Sequence, residues 1–408
     1  MDALPKMHMI GCFHTLLTDD FSHCAFSGKC RRWAKMMAPY GWDTIVYTNE
    51  GSDVPDAKEV VHILNAKEFA EFYPRPDKTQ FHGDHAVIGE RGWPTFNNRL
   101  IVELAKRVQP GDFILHPFGR AHDGLVNIFP QCVHVESGIG YSDKPFNAWR
   151  IYESEVWRHY HLGRWDHDQS VPRNDKGINR YYSWVVPNYF DLDDWDIGTG
   201  EGDYVVYMGR ITPEKGMPVI AAIIREYAKR PGKPPKFIFA GQGNFENEVM
   251  RHVLMDPKPD ESKLDIEYLG PVHGRRRSDL IGNARCMLMP SSFIEPFAGS
   301  GVESMICGTP LISVNYGAFV ETIREGITGF RCNTLGDWVA GIEASKFLDR
   351  GLCATVTRSR YSLRACGSLY DSAFRQLAEL RGQGWYSPVS HREQGRRKQD
   401  SGLLHPQQ

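Results

Sequence analysis

Short apolar segments that end at a glycine recur in the second half of the sequence and constrain its fold more than any other feature. The segments at 204–208, 237–240 and 266–269 are each followed directly by glycine. Apolar runs of this length are typical of strands that are buried on both faces of a parallel sheet. Parallel neighbours need crossover helices, which gather the loops at one edge of the sheet. The pattern therefore predicts an α/β chain with a doubly wound parallel sheet.

A candidate anion site follows the apolar strand predicted at 285–290. The small residues after Pro296 suit a loop that turns into a helix, with Ser300 as the predicted cap. The free amides of such a helix start face the carboxyl end of the strand and favour an anion, most simply a diphosphate. The residues expected to surround that anion are Phe297, Ala298, Gly299 and Ser300.

Two carboxylates flank this predicted anion site. Glu295 lies in the loop before the helix and Glu303 lies about one turn inside it. Carboxylate oxygens are acceptors that suit sugar hydroxyls. Two glutamates at a given spacing are common on protein surfaces, however, so the pair has little weight without its neighbours.

Two cations follow the strand predicted at 204–208. Gly209 begins a turn that carries Arg210 and then Lys215, just before Gly216. Cations at the end of a parallel strand can hold a diphosphate and offset the charge that develops as it leaves. This turn is consequently the second candidate element of a diphosphate site.

Six ordered motifs within about 120 residues resemble the donor-binding half of the family 4 retaining glycosyltransferases of the GT-B fold. The matching segments are 209–216, 240–243, 295–303, 307–312, 317–321 and 325–330. The first-domain runs at 22–29 and 135–141 are similar to a bacterial and phage-type subset of that family. The resemblance implies two Rossmann-like doubly wound domains that face each other across a cleft.

The resemblance also implies a reaction and a set of roles. A sugar would move from a nucleotide-diphosphate sugar to an acceptor hydroxyl with retained configuration, without a metal ion or a separate cofactor. Arg210 and Lys215 would stabilise the leaving diphosphate, Glu295 would hold the transferred sugar, and Glu303 would hold the ribose. Other residues assigned to the donor are Gly28, Gly209, Gly241, Leu269, Val272, His273, Phe297, Ala298, Gly299 and Ser300.

The domain limits follow from the same comparison. The acceptor-side domain is expected at 1–187 and the donor-binding domain at 188–364, with the hinge near Pro187 and Asn188. Helical spacing at 365–385 predicts a helix that crosses back to the first domain. The polar, basic residues at 386–408 predict a disordered tail.

Several first-domain residues are candidates for the acceptor side of the cleft. His116, Glu136, Ser137 and Tyr141 lie at or after the ends of predicted strands, where this architecture carries its chemistry. Family members often have a histidine where this chain has Glu136, so that residue is expected to bind a sugar hydroxyl or to orient the acceptor. Ser27 is expected to cap a helix whose start brings Gly28 to the donor phosphate.

Composition limits the setting and the partners. The formal charge of −2 provides no overall basic field for nucleic acid. Nine cysteines without a Cys-x-x-Cys pair, and a first segment without a leader pattern, favour a reducing cytoplasmic location. No apolar run is long enough for a spanning helix. The basic helix around 28–38 leaves peripheral contact with lipid open, although a sheet-packed helix with a basic outer face is the preferred interpretation.

The acceptor and the donor base remain open at this stage. A UDP-sugar is favoured, and a guanosine-diphosphate sugar is the alternative donor. Hydroxymethylcytosine in DNA is one candidate acceptor, because aromatic residues in 141–184 could stack on a flipped base. A glycan, a lipid or a small molecule is the alternative acceptor. A nucleotide-sugar 2-epimerase and a non-catalytic sugar-nucleotide binder are the alternative functions.

Overall fold

The architecture is that of a computed structural model, which describes residues 4–21, 24–74, 91–147, 149–165 and 183–380. The predicted basic tail at 386–408 lies outside the described residues, as does most of the aromatic stretch that follows residue 165. None of the described helices is long and apolar enough to span a lipid bilayer.

The first half of the chain forms a seven-stranded sheet in the order β3-β2-β1-β4-β5-β6-β7, with every neighbouring pair parallel. Its strands are β1 (Met7–Ile10), β2 (Thr44–Thr48), β3 (Glu59–His62), β4 (Phe113–Leu115), β5 (Val133–Ile139), β6 (Trp149–Tyr152) and β7 (Ser183–Val185). Its helices are α1 (Ala25–Met37), α2 (Ala66–Phe72), α3 (Gly92–Ala105), α4 (Leu125–Ile128) and α5 (Glu155–Trp165).

The second half forms a six-stranded parallel sheet in the order β10-β9-β8-β11-β12-β13. Its strands are β8 (Tyr204–Met208), β9 (Lys236–Ala240), β10 (Ile266–Tyr268), β11 (Cys286–Met289), β12 (Leu311–Val314) and β13 (Gly329–Cys332). Its helices are α6 (Met217–Lys229), α7 (Arg251–Val253), α8 (Gly274–Gly282), α9 (Gly299–Ile306), α10 (Phe319–Thr322), α11 (Leu335–Ser345), α12 (Arg350–Tyr361) and α13 (Leu363–Leu380).

Both sheets have the doubly wound form that the strand and glycine pattern predicts. In each sheet the chain starts at a central strand, β1 or β8. It first adds two strands on one side of that strand and then adds the remaining strands on the other side. Every residue of β1, β2 and β11 is buried. Helices cover both faces of such a sheet, which is why the central strands are mostly apolar.

Helix α13 packs against α1 of the first half. Tyr370 and Phe374 meet Trp33 edge to face, with ring centroids 4.8 and 5.8 Å away. Aromatic pairs in this geometry contribute about 0.5–1.5 kcal/mol beyond the area that they bury. The last helix that the structure describes therefore packs into the hydrophobic core of the first half.

The predicted start of α1 is wrong by about one turn. The helix begins at Ala25 after Cys24, whose side chain does not cap it. Ser27 lies inside the helix, where its hydroxyl hydrogen-bonds that of Thr15 at 2.6 Å. A serine is a cap only when the preceding backbone is extended, and the buried partner at Thr15 is not visible from the local sequence.

Candidate functional site

Loops at the carboxyl ends of β8, β9 and β11 approach one another so closely that only glycine fits at several positions, among them Gly241 and Gly216. A Cβ on Gly241 would lie 1.8 Å from the carbonyl oxygen of Gly209, and one on Gly216 would lie 1.9 Å from that of Pro290. Both glycines also have positive φ, 143° and 81°. The glycines of the sequence motifs thus bring the turn after β8 against the loops that follow β9 and β11.

Lys215 and Glu295 form an ion pair at this edge of the sheet. The Lys215 Nζ lies 2.7 Å from Glu295 Oε1, and the two side chains are only 15% and 6% exposed. The Ser291 hydroxyl donates to the same carboxylate oxygen at 2.5 Å, and the Phe293 ring centroid lies 4.4 Å from the ammonium. Two residues that are 80 positions apart in sequence are therefore held in one rigid cluster.

Arg210 lies on the same turn and is exposed. Its carbonyl oxygen accepts a hydrogen bond from the Tyr207 hydroxyl at 2.5 Å. Burial raises the pKa of that phenol well above its usual range, the charge of Glu295 raises it further, and the charge of Arg210 opposes the rise. Tyr207 is therefore close enough to both charges for each to act on it.

The loop after β11 enters α9 through an unusual cap. Ala298 occupies the left-handed region at φ 67°, ψ 55°, and the helix begins at Gly299. The prediction that Ser300 caps this helix is wrong, because Ser300 lies in its first turn and its hydroxyl points toward the Met289 sulfur at 3.8 Å. Strain of this kind at a non-glycine residue occurs where a surrounding structure, often a binding site, enforces it.

Backbone donors at the start of α9 remain available. The amides of Gly301 and Val302 donate to the Ala298 carbonyl. Those of Gly299 and Ser300 have no acceptor among the described residues. A helix start with free amides attracts an anion. Phe297 and Ala298 themselves are buried, so the loop offers its backbone more than its side chains.

Glu303 projects from α9 but is not alone, and this is a feature that the sequence reasoning missed. Its carboxylate pairs with the guanidinium of Arg277 on α8, and both side chains are about one-seventh exposed, at 14% and 15%. The residues that are predicted to contact the nucleotide base lie just before α8. Val272 is buried, Leu269 is half-buried, and His273 immediately precedes Gly274 at the start of α8.

The four predicted acceptor-side residues are mainly structural in this conformation. His116 is fully buried and its Nε2 hydrogen-bonds His134 Nδ1 at 2.9 Å, while burial lowers the pKa of His116 well below its usual range. Glu136 is also fully buried. It accepts from the Tyr141 hydroxyl at 2.6 Å and from the Asn147 amide at 3.0 Å.

This geometry corrects the expectation that Glu136 reaches a sugar hydroxyl or the acceptor. Its carboxylate is occupied in shaping the 141–147 loop, and burial raises its pKa although the Tyr141 hydrogen bond opposes the rise. Ser137 is buried, and its hydroxyl has no hydrogen-bond partner among the described residues. The Tyr141 ring lies beside Gly119, so that a Cβ there would be 3.1 Å from it. A charged residue at the end of an apolar run gives the same sequence pattern whether its carboxylate faces the protein interior or the cleft.

Gly28 lies one turn inside α1, and its amide donates to the Cys24 carbonyl at 3.0 Å. Its own N–H is therefore not free for a phosphate, and any anion contact at this helix would involve the earlier amides. The neighbouring Lys29 is buried beside the cleft. Its ammonium lies 2.5 Å from Glu153 Oε1 and donates to the Gly138 carbonyl at 2.9 Å.

The cations of α1 are largely paired with carboxylates. Arg31 binds Asp19 and Asp53, and Lys35 lies 2.5 Å from Asp191. Together with the Lys29 pair, these contacts leave little of the basic face that lipid or nucleic acid would need. The preferred interpretation, a helix packed on its sheet, is the one that fits these contacts.

Comparison with known proteins finds a family match within the second half of the chain. Residues 202–344 match the family model of glycosyl transferases group 1. The 2-deoxystreptamine N-acetyl-D-glucosaminyltransferase of Niallia circulans is 32% identical over 146 residues, which cover 35% of this chain and 36% of that protein. The D-inositol 3-phosphate glycosyltransferase of Rhodococcus erythropolis is 26% identical over 153 residues, which cover 36% and 34%. The chain thus matches about a third of the length of these curated relatives.

Solved structures match over nearly the whole chain. AviGT4, a glycosyltransferase involved in avilamycin A biosynthesis, is 14% identical with a TM-score of 0.61, covering 92% of this chain and 98% of that one. Anabaena HepE in complex with UDP and glucose is 13% identical with a TM-score of 0.60, covering 91% and 100%. At such identities the likeness shows the fold alone, and that fold is GT-B.

Proposed function

We propose that this protein transfers a sugar from a nucleotide-diphosphate sugar to an acceptor hydroxyl with retention of configuration. The match of residues 202–344 to the family model of glycosyl transferases group 1 and the GT-B fold of the chain support this proposal. The observation that carries the proposal is the Lys215–Glu295 ion pair beside the free amides at the start of α9. A cation and backbone donors suit a diphosphate, and the carboxylate suits a sugar hydroxyl.

The roles divide along the bound donor. Lys215 has three donor positions, so it can hold Glu295 and a phosphate oxygen at once. Arg210, on the same turn, adds a second cation to the leaving diphosphate. Glu295 accepts from hydroxyls of the transferred sugar, and its hydrogen bond from Ser291 keeps it oriented. Because the enzyme stabilises the departing charge, no metal ion is required in this scheme.

The nucleoside end of the donor lies toward α8 in this proposal. Glu303 accepts from the ribose hydroxyls, and the segment from Leu269 to His273 reads the base. UDP is the preferred nucleotide, since solved relatives of the same fold include complexes with UDP and with UDP-glucose. The proposal includes no dedicated catalytic base, because the leaving phosphate itself accepts the proton of the acceptor hydroxyl.

Turnover of Lys215→Met tests the donor site. Nucleotide diphosphate release is measured with UDP- and GDP-sugars, and Lys258→Met, a change at an exposed lysine, serves as the matched control. Loss of an electrostatic stabiliser of the leaving group lowers kcat by about 100-fold or more. Equal turnover of the two variants would place the diphosphate elsewhere and overturn the assignment.

Mass spectrometry of reaction products identifies the acceptor. The protein is incubated with pooled nucleotide-sugars and DNA that contains hydroxymethylcytosine, and unmodified DNA is the control. A hexose or pentose mass on the modified base alone would establish a DNA acceptor. Consumption of the donor without any added mass would direct the search to glycans, lipids and small molecules, and an epimerised donor would identify an epimerase instead.

A further inference from the structure

We infer that Arg277 is a positioning residue for nucleotide binding: it holds the Glu303 carboxylate so that the opposite oxygen receives the ribose hydroxyls of the donor. This inference rests on the proposed function and extends it to a residue outside the sequence motifs. It is drawn from the ion pair that joins α8 to α9.

Arg277 differs from the two arginines beside it. Arg275 and Arg276 are exposed, and Arg275 pairs with the exposed Asp196. Arg277 is turned inward, on the same side of α8 as the buried Ser278 and Ile281. Arginines on a surface helix can remain solvated without a carboxylate partner. Because only Arg277 of the three turns inward, its position points to a specific role.

The pair engages only one side of the carboxylate. The Arg277 guanidinium binds Glu303 through Nη2 and Oε2. No described residue donates to Glu303 Oε1. An ionised carboxylate offers about four acceptor positions, so Glu303 keeps capacity for two neighbouring hydroxyls. A ribose presents such a pair at its 2′ and 3′ carbons.

Burial explains why the arginine is needed. Glu303 is largely covered, and a covered carboxylate without a cation is costly, since its charge loses hydration. The same carboxylate would also repel a diphosphate bound at the start of its own helix, α9. Arg277 neutralises that charge without occupying the free oxygen.

The position of Arg277 along α8 fits this role. His273 directly precedes the helix in an extended conformation, and Arg277 lies four residues later, one turn inside the helix. The arginine therefore stands between the segment assigned to the base and the carboxylate assigned to the ribose. The Nε of Arg277 is buried and has no hydrogen-bond partner in the part of the chain that the structure describes, so the guanidinium retains donor capacity beyond its bond to Glu303.

Binding of UDP and of 2′,3′-dideoxy-UDP, measured by calorimetry on the full chain, tests the inference. We expect Arg277→Met to weaken UDP binding by about tenfold or more, the usual effect of losing hydrogen bonds to a charged group. It should change binding of the dideoxy nucleotide by less than about twofold, because that ligand has no ribose hydroxyls to lose. Arg277→Lys should recover part of the UDP affinity.

Two controls separate positioning from stability. Arg276→Met, a change at the exposed neighbour, should bind both nucleotides as the unchanged protein does. Glu303→Gln should weaken UDP binding, and combining it with Arg277→Met should add little, since both act on one contact. With saturating donor the arginine variant should keep its kcat and show a raised KM.

The outcomes distinguish the inference from the function on which it rests. Equal losses for UDP and dideoxy-UDP in Arg277→Met, or no loss for either, would overturn the positioning role while leaving the transferase proposal intact. Failure of the unchanged protein to bind UDP, GDP or ADP would overturn both.

Discussion

Glu321 caps a helix in the other half of the molecule by accepting a hydrogen bond from the amide of Val156 at 2.7 Å. Its second oxygen accepts from the adjacent amide of Glu155 at 3.0 Å. The carboxylate belongs to α10, which follows β12 of the second sheet, and the amides open α5 of the first. The negative charge of Glu321 thus joins the two halves at the positive end of α5. A cavity of about 400 Å³ lies beside this contact and is lined by residues of both halves.

Glu321→Gln should loosen this junction. A neutral amide has one accepting oxygen and no charge for the helix start, so we expect a loss of about 1–2 kcal/mol in the free energy of unfolding. We also expect the radius of gyration from small-angle scattering to increase as more molecules open. Glu246→Gln, at an exposed residue, is the control. An unchanged unfolding midpoint and an unchanged radius of gyration would show that this contact does not stabilise the packing of the two halves.

The predictable part of the fold rests on local pattern. Buried parallel strands are mostly apolar, and β8 and β9 each end at a glycine, so these two strands and β11 are recognisable in the sequence. The same holds for the cluster of Lys215 with Glu295, because both lie at carboxyl ends of strands that the topology brings side by side. The positions of the strand ends in the sequence are therefore enough to predict where the candidate site lies.

The rest depends on pairings that no local pattern contains. Arg277 reads as one of three surface arginines, and only the packing of α8 on α9 turns it toward Glu303. Glu136 reads as a cleft residue, yet the loop at 141–147 folds back over it and fills its hydrogen-bonding capacity. Ser300 reads as a cap, but Ala298 adopts the left-handed conformation two residues earlier. Each outcome is fixed by tertiary contacts.

Gly241→Ala should destabilise the second sheet strongly. The new Cβ would overlap the Gly209 carbonyl oxygen, so the loops after β8 and β9 would have to separate. Gly232→Ala is the matched control, because that residue also has positive φ, 90°, but meets no atom within 4 Å. The control should cost about 1 kcal/mol from its backbone strain alone, and Gly241→Ala clearly more. Equal losses in urea unfolding would show that the loops can yield.

Replacement of one member of the Lys29–Glu153 pair should cost far more than replacement of both. The two side chains are only 4% and 7% exposed, so Lys29→Met leaves a buried carboxylate without its cation and should cost about 3–5 kcal/mol. Adding Glu153→Leu removes that charge and should restore much of the loss. The exposed pair Lys236–Glu267 gives the contrast, because Lys236→Met should cost less than about 1 kcal/mol. Additive losses at the buried pair in a double-mutant cycle would contradict this expectation.

Buried histidines should make the protein less stable as the pH falls below neutrality. Burial lowers the pKa of His122 to about 3 and, as the largest cause, that of His161 to about 4. An unfolded histidine binds its proton near pH 6.5, so between that pH and the folded-state pKa the unfolded chain holds more protons. The free energy of unfolding should therefore decrease with falling pH, by up to about 1.4 kcal/mol per pH unit for each such group.

The variant His122→Gln measures how much of this pH dependence of stability comes from His122. His122 Nδ1 hydrogen-bonds the Asn97 side-chain oxygen at 2.7 Å, and glutamine can keep a polar contact there without taking up a proton. The variant should lose some stability at pH 8 yet show a shallower decline from pH 6.5 to 4.5 in urea unfolding. His62→Gln, at an exposed histidine, should leave the slope unchanged. An identical slope for His122→Gln and the unchanged protein would mean that His122 takes up its proton equally in the folded and the unfolded chain.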